Sequence, residues 1–340
     1  MQISQRVFGI LPDSRPVKEF TLKTKNIEIS IIEYGAIITK LYTPDSQGQL
    51  GNIVLGYSEL SFYLSDQFYI GRLIGRVANR ISNSRFELSR QTYKLSANHG
   101  KHHLHGGNGG VSDALWQGSI RPDGGALTLS YHSPAGEAGY PGTVHISVHV
   151  SVSEPGELVF EYLATSDQDT PLNLTRHDYF NLSAGMKNDI LDHTICVPAD
   201  QMTVQGDDLL PTGEVQHVTG SVFDLTEPLT IGEQIKQYPV QLINGYDQNY
   251  VLRQAADSLK LAAELSNPGS GRTLRVWTTQ PCLMLYTGGY LRSNAFGYGK
   301  FAGLCLEAQH FPNSVNRPEF TISLVTPERP YQHKLVYRFS

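Results

Sequence analysis

The sequence predicts an all-β protein, a large antiparallel β-sandwich with few short helices. Three observations carry that reading: period-two alternation recurs from one end of the chain to the other, sustained helical periodicity is nearly absent, and turn-forming residues separate the alternating runs. Ile27 to Ile32 opens the pattern. Val144-His145-Ile146-Ser147-Val148-His149-Val150-Ser151-Val152 alternates without a fault, as a strand with one wet and one dry face should. Leu158 to Leu163, Leu259 to Leu265 and Leu274 to Thr278 repeat it.

The breaks between these runs have turn chemistry: Pro44-Asp45-Ser46-Gln47-Gly48, Pro122-Asp123-Gly124-Gly125, Glu154-Pro155-Gly156 and Asn267-Pro268-Gly269-Ser270-Gly271. Short connecting helices are expected near Ser58 to Leu64, where a polar cap precedes Glu59, and near Ile231 to Tyr238. No linker, low-complexity tract, charge block or fixed-period repeat divides the chain, so residues 1–340 read as one domain. Two packed sheets are the natural way to bury so many half-apolar strands.

A hydrophobic content of 40% and a charged content of 17% describe an ordinary globular chain rather than a disordered one. The formal net charge of −5 supplies no basic field for nucleic acid or an anionic membrane surface, which favours a small neutral or polar ligand. Cys196, Cys282 and Cys305 are too few and too scattered for a disulfide framework or thiolate metal site, and are expected to be buried thiols in a reducing compartment. The start of the chain lacks the apolar core and cleavage site of a signal peptide, and no run is long enough to span a bilayer. A cytoplasmic location is the expectation.

Five stretches hold residues that could carry chemistry. In Gly303-Leu304-Cys305-Leu306-Glu307-Ala308-Gln309-His310, alternation places Leu304 and Leu306 toward a core and Glu307 on the opposite face with Cys305 and Gln309. That face either lines a cleft or leaves Glu307 as a solvated strand-end carboxylate. In Thr175-Arg176-His177-Asp178-Tyr179-Phe180-Asn181-Leu182, Arg176 and Asp178 share one face, where they can pair, and His177 and Tyr179 share the other. His177 is then a proton-transfer group or simply a hydrogen-bonded histidine.

His99-Gly100-Lys101-His102-His103-Leu104-His105-Gly106-Gly107 invites a metal reading, but it has neither a helical His pair nor a nearby Cys. The preferred account has His105 at a strand end, Gly106-Gly107 permitting close backbone approach, and the other three histidines at the surface. Gly71-Arg72-Leu73-Ile74-Gly75-Arg76-Val77-Ala78-Asn79-Arg80-Ile81 lacks the ending of a phosphate loop. Asn79 and Arg80 form a donor-rich pair suited to sugar hydroxyls, and the alternative makes Arg72, Arg76 and Arg80 a solvated basic face. Asp247 either completes a turn or accepts two vicinal hydroxyls.

The whole chain resembles the aldose 1-epimerase (galactose mutarotase) family. The resemblance rests on an ordered series: Tyr34-Gly35-Ala36, Val54-Leu55-Gly56-Tyr57, Gly75 through Ile81, Leu104-His105-Gly106-Gly107, Gly139-Tyr140-Pro141-Gly142, Pro211-Thr212-Gly213-Glu214, Thr278-Thr279-Gln280-Pro281 and Leu306-Glu307-Ala308-Gln309. It implies the family's large β-sandwich with an open cleft. It also implies Glu307 as general base, His177 as general acid, His105 as a second histidine at the ring and anomeric oxygens, and Asn79, Arg80 and Asp247 as sugar-binding positions.

The implied reaction interconverts α and β anomers of a free glucose- or galactose-type aldose, with no metal and no other cofactor. The implied partner is a small sugar, and the protein is expected as a monomer or homodimer. Rival readings are a relative acting on another aldose, a disaccharide or an acidic sugar, and a non-catalytic carbohydrate-binding protein. Three positions depart from the family pattern: Arg176 replaces an Asn, Gln248 a His, and Met284 a sugar-contacting Gln. They bear on substrate preference rather than on proton transfer.

Overall fold

Antiparallel pairing organises nearly every strand in the computed structural model, which describes residues 1–184, 189–253, 258–292 and 297–340. A nine-stranded sheet runs from Gln117–Ile120 at one edge, through Leu127–Ser133, Val144–Ser153, Glu157–Ser166, Tyr331–Phe339, Thr273–Thr278, Lys260–Ser266 and Thr194–Cys196, to Leu229–Thr230. A five-stranded meander covers Gln2–Ile10 to Leu50–Asn52. A six-stranded sheet follows the order Tyr179–Phe180, Leu304–Gln309, Cys282–Tyr286, Asp247–Val251, Gln201–Gln205, Pro211–His217.

The alternation read from the sequence becomes burial. Val144–Ser153 has every second residue buried, from Val144 through Val152, against more exposed His145, Ser147, His149 and Ser151. The main apolar cluster draws Phe20, Trp116, Phe160, Tyr250, Leu306 and Tyr337 together from distant parts of the chain. Truncating a ring such as Phe160 to Ala would cost about 3–5 kcal/mol through lost transfer energy and the cavity left behind.

The two α-helices among the described residues are short connectors, Leu60–Ser65 and Ile231–Gln237. The first begins one residue later than its polar cap suggested: Glu59 is the N-cap and makes no side-chain capping bond.

The six-stranded sheet positions the candidate site. On its inner face Leu304, Leu306, Leu283, Leu285 and Tyr250 join the main core. Register then fixes the other face. Tyr179, Cys305, Tyr286 and Asp247 lie in one cross-strand row, and Glu307, Met284 and Asn249 in the next.

Candidate active site

Three local structures bring the proton-transfer residues to that outer face. Leu304–Gln309 presents Glu307 beside Cys305, as its alternation predicts. Thr175–Arg176 pairs with Leu73–Ile74, and just beyond it His177 is held through its backbone, its N–H donating to the Arg72 carbonyl (2.9 Å) and its carbonyl accepting from Gly71 (3.1 Å). His103–Leu104 pairs with Arg80–Ile81, so Asn79 and His105 emerge side by side. Gly106 follows at φ +85°, where a Cβ would lie 1.7 Å from the Gly75 carbonyl oxygen, so only glycine allows this approach.

The outcome is convergence. A ring nitrogen of His105, a ring nitrogen of His177 and a carboxylate oxygen of Glu307 lie within 4.8 Å of one another. His177 Nε2 stands 3.8 Å from Glu307 Oε1. The residues are 7%, 5% and 2% exposed respectively, which removes the solvated-carboxylate reading of Glu307. Glu307 Oε2 and Arg80 Nε are buried without hydrogen-bond partners among the described residues, which leaves unspent polar capacity at the site.

Electrostatics follow from burial. The Glu307 carboxyl is raised well above the usual carboxylate range by desolvation and by Asp247, with Arg80 opposing. Desolvation depresses the His177 imidazole to about 3, despite an opposing hydrogen bond to its own backbone. Both shifts disfavour the charged forms of the pair in the unliganded site. Desolvation likewise raises the Asp247 carboxyl, and the charge of Arg80 opposes that rise.

His105 is held in a defined tautomer. The Asn79 backbone N–H donates to its Nδ1 at 3.2 Å, and burial keeps the ring neutral, so Nε2 carries the ring proton as a donor. The same bond bears on a metal. A metal-bound histidine normally donates through its second ring nitrogen, whereas His105 Nδ1 must accept, so this constellation suits a hydrogen-bonded ligand better than an ion.

The other sequence-identified positions separate into site and scaffold. Arg80 is buried next to Asn79, whose Oδ1 accepts the Arg80 N–H at 2.8 Å, and Asp247 lies on the site face. Arg176 points away from the site: its guanidinium grips Asp178 with two bonds of 2.8 and 2.9 Å and bonds the Ala36 and Gly71 carbonyls. Gln248 lies on the inner face of its strand and donates to the Thr203 carbonyl. Of the three departures from the family pattern, Met284 alone sits on the site face, directly between Glu307 and Asn249.

One expectation needs correction and one alternative is removed. His102 and His103 are buried rather than at the surface. His103 joins the Ser96 carbonyl to the Tyr140 hydroxyl, and His102 Nδ1 accepts from the Asn83 N–H, while His99 is exposed as expected. Arg72 and Arg76 are not a solvated face. Arg72 is buried against Asp113 and the Tyr63 carbonyl, and Arg76 against Ser133, Pro134 and Pro141.

Sequence reasoning missed an aromatic surround. The rings of Tyr69, Tyr179 and Tyr286 lie 5.9, 5.0 and 6.3 Å from His177, and Tyr69 also meets His105 at 4.8 Å. Tyr179 was visible by alternation. Tyr69 gave no signal, because it arrives from a loop at φ +56°.

Comparison with known proteins gives the family and agrees with the fold. A family model described as Aldose 1-epimerase matches residues 18–338. The galactose mutarotase of Sus scrofa is 38% identical, with 100% of this chain and 99% of that protein covered. The aldose 1-epimerase of Haemophilus influenzae is 34% identical over 91% of each chain. An aldose epimerase homologue from C. elegans superposes with a TM-score of 0.85 at 27% identity, covering 93% of this chain and 96% of that one.

Proposed function

This chain belongs to the aldose 1-epimerase family, and from that premise we propose that Glu307, His177 and His105 perform its chemistry. The protein is an enzyme of the isomerase class that interconverts the α and β anomers of an aldose. The observation that carries the residue assignment is the convergence of the three groups within 4.8 Å around one point.

Glu307 takes the proton of the anomeric hydroxyl as the O1–H pair becomes the C1=O1 bond. The C1–O5 bond breaks, and the ring oxygen receives its proton from His177 Nε2. Rotation about C1–C2 presents the opposite carbonyl face, and reversal of both transfers closes the ring as the other anomer. His105 Nε2–H steadies the oxygen on which charge develops.

Burial strengthens both partners in this cycle. A carboxyl raised in pKa is a stronger base, and an imidazolium lowered in pKa is a stronger acid. The neutral pair that burial favours is also the state that ring opening produces. The charged pair is reached by moving one proton across the 3.8 Å gap, with a sugar hydroxyl as relay and Arg80 favouring the carboxylate.

Asn79, Arg80 and Asp247 hold the sugar hydroxyls. A neutral hexose suits the site better than an acidic sugar, because Arg176 is committed to Asp178. Met284 offers an apolar thioether beside Glu307 and favours contact with a C–H face of the ring. The test is optical rotation of freshly dissolved glucose, galactose, lactose and galacturonate. Fast equilibration of the neutral hexoses with slow galacturonate is expected, and the reverse order would refute the preference.

The chain acts as one domain, as a monomer or homodimer, in the cytoplasm. Three free cysteines suit a reducing compartment, and no helix among the described residues is long and apolar enough to cross a membrane. A net charge of −5 gives nucleic acid no purchase.

A further inference from the structure

Every imidazole that works as an acid must keep its second nitrogen protonated while the first gives up its proton. His177 turns Nε2 toward Glu307, so the nitrogen that must stay protonated is Nδ1. The side-chain atom facing Nδ1 is the sulfur of Cys305, at 3.4 Å. Cys305 is fully buried and sits two residues before Glu307 on the same face of the same strand.

We propose that Cys305 is a positioning residue whose sulfur accepts the Nδ1–H of His177, holding the ring so that Nε2 faces Glu307 and the sugar. The proposal rests on the reading of His177 as the acid.

Its physical logic lies in the weakness of the acceptor. The nitrogen at which a neutral imidazole is protonated is set by the bond its other nitrogen makes. A carboxylate facing Nδ1 would fix the tautomer but would also stabilise the imidazolium, making it a poorer acid toward a weakly basic ring oxygen. A neutral thiol can accept the Nδ1–H without adding charge beside the ring. Burial raises the Cys305 thiol well above its ordinary range, with Glu307 contributing, so the sulfur stays uncharged beside the ring.

Among the described residues no neighbouring side chain supplies a stronger acceptor for Nδ1, and the bond of the imidazole to its own backbone acts in the same sense as the sulfur. Tyr69, Tyr179 and Tyr286 present rings, and the Tyr179 hydroxyl is committed to the Phe68 carbonyl. His105 meets His177 edge-on at 5.3 Å, and the charge of Arg72 disfavours the imidazolium. One strand, Leu304–Gln309, thus fixes both members of the acid–base pair: it carries the base and holds the acid.

The test compares Cys305→Ala and Cys305→Ser by optical rotation across a pH series, with thermal melting as a check on folding. Cys305→Ala is expected to lower kcat about ten- to a hundredfold with little change in KM, the scale a misplaced group can cost. Its basic limb should move to lower pH, because an imidazolium that loses its Nδ1–H acceptor gives up its proton more easily. Cys305→Ser preserves volume and offers a better acceptor, so it should regain most of the rate and carry the limb back toward or above the parent position.

Equal losses in both variants with an unmoved limb would mean a packing role and overturn the proposal, as would parent-like kinetics in Cys305→Ala. His177→Asn in the same assay separates the two layers. If it remains active, the acid assignment fails and the proposal falls with it. If it is inactive while Cys305→Ala behaves like the parent, the proposal about Cys305 fails alone.

Discussion

His177 Nε2 and Glu307 Oε1 are 3.8 Å apart, too far for a direct hydrogen bond and close enough for one sugar oxygen to touch both. The two residues are 130 positions apart in the chain, and the pairing of Tyr179–Phe180 with Leu304–Gln309 helps bring them together. Their function depends on what holds them there, so the predictions begin with the scaffold.

Arg176 and Asp178 form a fully buried ion pair on the opposite side of the chain from His177, and Tyr337 also bonds Asp178. Removing one partner strands a buried charge. Arg176→Met should therefore lose about 3–5 kcal/mol of stability in denaturant unfolding. Arg176→Met combined with Asp178→Leu should lose less than the two single changes together. Additive losses would show that the ion pair contributes no coupling.

Arg80 and Asp247 act on binding more than on proton transfer. Arg80→Ala should raise KM about tenfold or more and lower kcat as well, since the guanidinium also favours the Glu307 carboxylate. Asp247→Asn should raise KM with a smaller effect on kcat. Steady-state kinetics with galactose that left both KM values at the parent level would remove these residues from the sugar site.

The proposed chemistry calls for no metal. Because His105 Nδ1 accepts the Asn79 N–H, dialysis against EDTA should leave the anomerisation rate unchanged. Loss of activity on chelation, restored by zinc or another divalent ion, would contradict that conclusion.

Acid should destabilise the fold through histidines buried in the neutral state. Burial lowers His177 and His333 to about 3 and His103 to about 4, from an ordinary value of 6.5. Above 6.5 these rings are neutral in both folded and unfolded chains, so their contribution is fully present. As pH falls below 6.5 the unfolded chain takes up protons that the folded one refuses, and stability is lost progressively toward pH 3. The raised Glu307 and Asp247 carboxyls act in the opposite sense over the same range, so the histidine share is read from the difference in the slope of Tm against pH between the parent and His333→Phe. His333→Phe should flatten part of that slope, and an unchanged slope would argue that His333 titrates alike in both states.

Much of this was legible in the sequence, because alternation is a local rule. It assigned the faces of Val144–Ser153, placed Glu307 with Cys305 and Gln309, and separated His177 from Arg176 and Asp178. What stayed hidden depends on long-range packing. His103 reads as a loop histidine until Tyr140 closes over it, and Arg72 reads as a surface cation until Asp113 covers it. The raised carboxyl of Glu307 was hidden for the same reason, since reference values ignore a burial that no single strand reveals.

The most direct test follows the optical rotation of freshly dissolved α-D-galactose with the parent protein, Glu307→Gln and His177→Asn at equal concentration. Each substitution should cut kcat by about a hundred- to ten-thousandfold with modest change in KM, while thermal melting stays cooperative. Parent-like turnover in either folded variant would contradict the assignment of Glu307 as base and His177 as acid.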